Sequence, residues 1–218
     1  MGRFDDELEE LNEELITLGM YCENAIQVVS SALISGDLNG IKKVGELHEE
    51  IRNLERKTES FCIRLLLQQQ PVASDLRHIS SAVRMIVDME RIGDQSDEIA
   101  EILKMGNAEK SGYQKNFNKI SQDVIKMVKD SVDAYVKKDD TLARSVVEYD
   151  DVVDDEFDRI KEDLTQIIIE KKMNGDEIID LLMIAKYYER IGDHAVNIAR
   201  WVSYSINKGA ESDFLPGR

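Results

Sequence analysis

From Phe4 onward the apolar residues Leu8, Leu11, Leu15, Leu18, Cys22, Ala25, Val29 and Ala32 step by alternating fours and threes. That spacing keeps one stripe of a helix turned toward a partner helix and predicts a long bundle helix. It stops at Ser35-Gly36-Asp37, where Gly allows a left-handed cap and Asp can cap the next helix. Val44, Leu47, Ile51, Leu54, Thr58, Phe61 and Leu65 carry a second stripe until Gln70-Pro71, because Pro disfavours the α conformation in the residue before it. A third helix is expected from Leu76 to about Met105, along Met85, Met89, Ile92, Ser96, Ile99 and Leu103. After a polar stretch containing two Gly, the pattern restarts, with helices over Ile120 to Val136, Leu142 to about Ile169 and Ile178 to about Ile206. The prediction is an all-α fold of six helices in two tandem three-helix bundles: residues 1–106, a linker at 107–116, and residues 117–218.

The two halves read as an internal repeat. Ala32-Leu33-Ile34-Ser35-Gly36-Asp37 lies 102 residues before Ala134-Tyr135-Val136-Lys137-Lys138-Asp139, and Val44 lies 102 before Val146. In the third helices the offset is 99, a change that a longer turn around Pro71 absorbs.

Composition narrows the function. The chain has 218 residues, 42% hydrophobic and 33% charged, with only 2 Pro, as suits one or two helical globular domains. Its formal net charge of −16 opposes binding to a phosphate backbone, so no nucleic-acid partner is expected. Cys22 and Cys62 fall on the apolar stripes and read as reduced, buried thiols of a cytoplasmic protein. The opening MGRFDDELEE has no apolar signal region and no run is long enough to span a bilayer, so membrane contact is expected only peripherally, through partners.

The residues that invite chemistry are doubled. MERIGDQSDEIAE begins at Met89, and YERIGDHAVNIAR repeats its core 99 residues on. Each copy places a Glu and an Asp four apart, Glu90 with Asp94 and Glu189 with Asp193, which costs a few tenths of a kcal/mol in like-charge repulsion. Each also places a Gly inside a helix, at about 1 kcal/mol relative to Ala. Two accounts stand. Arg91 and Arg190 could screen the acids while Gly admits a neighbouring helix and the stripe faces water. Alternatively the carboxylates hold a cation, since i and i+4 share a face and a second helix can add ligands. That second helix exists in EYDDVVDDEFD, with Asp150 and Asp154 four apart and Asp151 and Asp155 shifted by one. Asp97 and Glu101 extend the stripe in the first half, and Asn197 lies one turn beyond Asp193 in the second. His194 points about 100° away from Asp193 and is expected as a solvated or core-edge residue. Oxygen ligands favour magnesium, calcium, manganese or iron over zinc.

ERIGDQSDEI and ERIGDHAVNIA, each on the third helix of a bundle, together with QQPVASDLR before the first, make the chain resemble the PhoU family over nearly its whole length. The resemblance implies a cytoplasmic, homodimeric regulator of phosphate homeostasis that is not an enzyme. It implies contacts with a PstB-like ATPase of a phosphate ABC transporter and a PhoR-like sensor kinase, restraining both uptake and the starvation response. It also implies carboxylate-bound metal, as multinuclear iron or zinc clusters or as manganese or magnesium.

Carried over by position, Glu189 and Asp193 match on the sixth helix, and Asp150 and Asp154 match the D-x-x-x-D place on the fifth. The first half departs, with His48 and Arg52 standing 102 residues before those aspartates. An Arg there can pair with Glu90 or Asp94 and fill the space of a metal. Unequal sites are therefore expected, the second bundle binding better. The first is neutralised internally or uses Glu49 and Asn53. In ASDLR, Asp75 is expected to cap the third helix, although Asp75 and Arg77 could instead dock a partner. Two other classes stay open. One is a helical adaptor with no phosphate connection. The other is a di-iron oxidase, which the lack of any Glu-x-x-His argues against.

Overall fold

The computed structural model describes residues 3–68, 71–106 and 112–207. Six α-helices account for the fold: α1 (Arg3–Ser35), α2 (Lys42–Gln68), α3 (Ala73–Met105), α4 (Asn118–Lys137), α5 (Asp140–Glu170) and α6 (Gly175–Ile206). No strand occurs among the described residues.

The helix ends follow their local chemistry. Gly36 (φ 71°) and Gly106 (φ 77°) adopt the left-handed conformation that closes α1 and α3. Asp37 accepts from the Asn39 N–H at 2.9 Å and opens a short 3-10 turn, Leu38–Gly40. Asp139 caps α5 through the Leu142 N–H, and Asn174 caps α6 through the Asp176 N–H. The start of α3 departs from expectation. Its cap position is Val72, which has no side chain that can accept a hydrogen bond, and Asp75 lies inside the first turn. There Asp75 complements the positive end of the helix dipole without capping it. Gln70, the expected end of α2, lies outside the described residues, as do 107–111 of the expected linker. Tyr113–Phe117 form a 3-10 turn with Phe117 fully buried.

Within each half the three helices pack on one another, and the halves join through α1 against α4 and α3 against α6. The result is a central layer of α1, α3, α6 and α4, flanked by α2 on one side and α5 on the other. One hydrophobic core runs through both halves, from Leu11 and Leu15 to Ala199 and Val202. The α3–α6 pair is antiparallel: Tyr187 reaches Glu98 at 3.5 Å, whereas His194, two turns further on, reaches Asp88 at 2.9 Å. Ser30 and Tyr188 share a buried hydrogen bond of 2.8 Å between α1 and α6. Both thiols are buried and free. Cys22 donates to the Met89 carbonyl at 3.3 Å, while burial pushes the Cys62 thiol up to about 12.

Candidate metal centre

In both copies of ERIGD the isoleucine is fully buried, and the glycine faces a side chain of the neighbouring helix at close range. A Cβ on Gly93 would stand 3.1 Å from Ile51 Cδ1, and one on Gly192 would stand 3.3 Å from Val153 Cγ1. Ile51 and Val153 are themselves equivalent by the 102-residue offset. The helix-weakening glycine is thus explained by packing. It lets α2 approach α3 and α5 approach α6, carrying the acids along with them.

The acids of the first half are already partnered. His48 Nε2 lies 2.8 Å from Asp94 Oδ1, and its Nδ1 lies 3.3 Å from Asp97 Oδ2. Arg91 donates to Asp94 Oδ2 at 2.8 Å, and Arg52 Nε stands 3.5 Å from Glu90 Oε1. Glu90, Asp94 and Asp97 therefore each face a cationic or imidazole side chain. Glu101 pairs with Lys104 at 2.6 Å.

The second half is less completely paired. Lys186 reaches Glu189 Oε1 at 2.5 Å, but Glu189 Oε2 is buried without a hydrogen-bond partner among the described residues. Burial, then the charges of Asp154 and Asp193, push Asp150 up to about 6, with Arg200 offsetting part of the shift. Asp154 is raised by burial and by Glu189, and Asp193 is raised by burial and by Glu189. Four carboxylates on α5 and α6 thus repel one another, an arrangement that a cation would relieve. Gly192 lies in the same contact, since a Cβ there would meet Asp150 Oδ1 at an ordinary 3.7 Å and Val153 Cγ1 at a tight 3.3 Å.

A polar cavity of 430 Å³ opens beside these acids, its lining including Asp150, Asp193, Arg190, Arg200, Asn197 and, from α3, Gln95. Asn197 donates to Asp88 Oδ1 at 3.3 Å, the same oxygen that His194 meets. His194 is half-buried, at the edge of the core, and bridges the two halves of the chain. Sequence spacing does not single out Asp88, Gln95 or Arg200. Asp88 and Gln95 come from the other half of the chain, and no short-range pattern ties them to α6.

The donor set suits a hard divalent cation by its chemistry: oxygen ligands, mutual repulsion and two orphaned buried oxygens, Glu189 Oε2 and Gln95 Oε1. Among the described residues, no three Asp, Glu, His or Cys side chains are yet gathered into a set able to hold one ion. Holding one would draw the carboxylates of α5 and α6 inward. The first half does not suit a cation in the same way, because His48 and Arg52 stand where the second half has Asp150 and Asp154.

The model of the PhoU domain matches this sequence twice, over residues 5–103 and 117–202. The chain belongs to the PhoU family. A phosphate-specific transport system accessory protein PhoU homolog of Clostridium acetobutylicum is 36% identical over 205 residues, covering 93% of this chain and 94% of the relative. A homolog of the same description from Pseudomonas putida is 34% identical over 208 residues, covering 94% and 80%. The crystal structure of PhoU from Pseudomonas aeruginosa superposes with a TM-score of 0.86 at 32% identity, covering 94% of this chain and all of that one. The two PhoU domains coincide with the two three-helix bundles. No helix among the described residues is long and apolar enough to cross a membrane.

Proposed function

We propose that this PhoU-family chain is a cytoplasmic, non-enzymatic regulator that restrains phosphate uptake and the phosphate-starvation response. The observation that carries this reading is the match of PhoU domains to both bundles, in a family whose relatives are named for the phosphate-specific transport system. It acts through protein contacts with a PstB-like ATPase and a PhoR-like kinase, as a homodimer. A divalent or multinuclear metal of iron, zinc, manganese or magnesium is held by Asp150, Asp154, Glu189 and Asp193, with Asn197 at the edge of the same cavity. When bound, the metal supplies positive charge that fixes α5 against α6. The carboxylates position it, and Gly192 keeps the two helices close enough for both to reach it. Glu90, Asp94 and Asp97 contribute instead to an internally paired counterpart.

The test is replacement of the chromosomal copy by Asp193→Ala or a deletion, followed by phosphate uptake and a starvation-response reporter in phosphate-replete medium. Derepressed uptake and reporter in the deletion support the regulatory reading. Unchanged levels in the deletion overturn it and favour the adaptor reading. Derepression in the deletion but not in Asp193→Ala separates the metal from the regulation.

A further inference from the structure

A second cavity, of 290 Å³, lies at the C-terminal end of α6, beyond the ERIGD-bearing middle of that helix. It sits among the first turn of α3, the turn between α4 and α5, the end of α6 and the start of α1. Its lining includes Arg77, Lys138, Asn12 and His78.

Two cations meet here on a chain that carries a net charge of −16. Neither is paired with an acid among the described residues. Arg77 Nε is buried and has no hydrogen-bond partner among them, a costly state for a charged group. Lys138 sits in the left-handed region at φ 52°, where residues other than Gly are strained. Its equivalent in the first half, 102 residues earlier, is Gly36 at φ 71°. Lys171 shares that conformation at the end of α5, so the backbone alone is not the signal. The signal is that Lys138 converges with Arg77 on one cavity. Nor does the internal repeat explain the charge. The opening of α6, Gly175-Asp176-Glu177-Ile178-Ile179, contains no cation.

The surrounding groups supply further donors. His78 is buried, stacked on Tyr135 at 4.3 Å, and its Nε2 meets Asn12 Oδ1 at 3.3 Å. That contact leaves the Asn12 amide NH₂ free to donate into the cavity. Burial, then Lys138, hold His78 down to about 4, so it stays neutral at physiological pH and its ring adds no charge. Val72 offers no side-chain acceptor to the first N–H groups of α3, so those groups can turn to a ligand. Asp75, the one acid on the rim, faces the Ser74 hydroxyl at 3.4 Å.

We propose that this cavity binds a tetrahedral oxyanion between the Arg77 guanidinium and the Lys138 ammonium, with the Asn12 amide as a third donor. The donors come from three separate elements that line one cavity. That arrangement suits the several acceptor oxygens of a tetrahedral ion better than a planar carboxylate. The ion is either free or a phosphoryl group carried on a nucleotide.

The test is isothermal titration of inorganic phosphate, and separately of ATP, into the full chain in EDTA, beside Arg77→Gln and Lys138→Gly. EDTA keeps the acids of α5 and α6 from recruiting the anion through a metal. Lys138→Gly removes the charge while relaxing the strained backbone, so its melting temperature should equal or exceed that of the wild type. Saturable binding weakened about tenfold or more in each variant supports the site. Saturation by phosphate assigns the free ion, and saturation by ATP alone assigns the carried phosphoryl group. No saturable binding of either ligand, or binding that both variants leave unchanged, overturns the proposal.

Discussion

His48 Nε2 stands 2.8 Å from Asp94 Oδ1, and the residue equivalent to His48 in the second half is Asp150, whose carboxyl is pushed up to about 6 by burial and by the neighbouring acids Asp154 and Asp193. One structural position in a duplicated fold therefore carries a hydrogen-bonding imidazole in one copy and an additional acid in the other. The fold tolerates both. The difference lies in how far each copy's acids are paired by side chains of the same chain.

Exchanging the sets should transfer the property. A His48→Asp, Arg52→Asp chain places four carboxylates on α2 and α3, as α5 and α6 have now. We expect it to bind more divalent metal per chain than the wild type and to melt lower when metal-free. Equal metal content in the two proteins would mean that the helix geometry of the first half forbids the site, whatever its charge.

Asp150 provides a pH-dependent test without metal. Its folded carboxyl titrates higher than an unfolded aspartate, so the folded state binds the extra proton and stability falls as pH rises from about 4 to about 6. Asp150→Asn removes that loss. With the half-exposed position discounted for solvent screening, the metal-free variant should gain about 1 kcal/mol at pH 7, or roughly 2–4 °C in melting temperature. The gain should vanish near pH 4. Differential scanning calorimetry in EDTA at both pH values checks it.

Much of the fold was legible because it depends on short-range signals. The three-four spacing of Leu8 to Ala32 and the left-handed glycine at Gly36 act within one or two turns, and the structure uses them as the sequence suggests. The start of α3 was not legible in the same way. Asp75 has the chemistry of a cap, but the helix begins earlier, at Ala73, with extended Val72 at the cap position and Asp75 already inside the first turn. In the site, the carboxylates of α6 and α5 could be picked out by their i,i+4 spacing. Asp88, which meets both His194 and Asn197, could not, since it comes from the other half of the chain.

The duplicated glycine yields a stability prediction. Gly93→Ala gains about 1 kcal/mol of helix propensity but presses a Cβ to 3.1 Å from Ile51 Cδ1. Overpacking typically costs about 1–3 kcal/mol, so the variant should be no more stable than the wild type and as much as about 2 kcal/mol less stable. Ile51→Val removes that Cδ1 methyl and leaves Cγ2 at 3.3 Å, so the cost of Gly93→Ala should be smaller in the Ile51→Val background than in the wild type. Urea denaturation of the single and double variants measures it. A Gly93→Ala chain more stable than the wild type would show that α2 can move away without cost.

Whether the incompletely paired carboxylates of α5 and α6 hold a cation is decided by metal content per chain, measured by inductively coupled plasma mass spectrometry on untagged protein beside Asp193→Ala. Stoichiometric divalent or multinuclear metal is expected in the wild type, and its loss in the variant. No metal in either protein, or the same content in both, would contradict the assignment and leave these acids as a partner-facing surface.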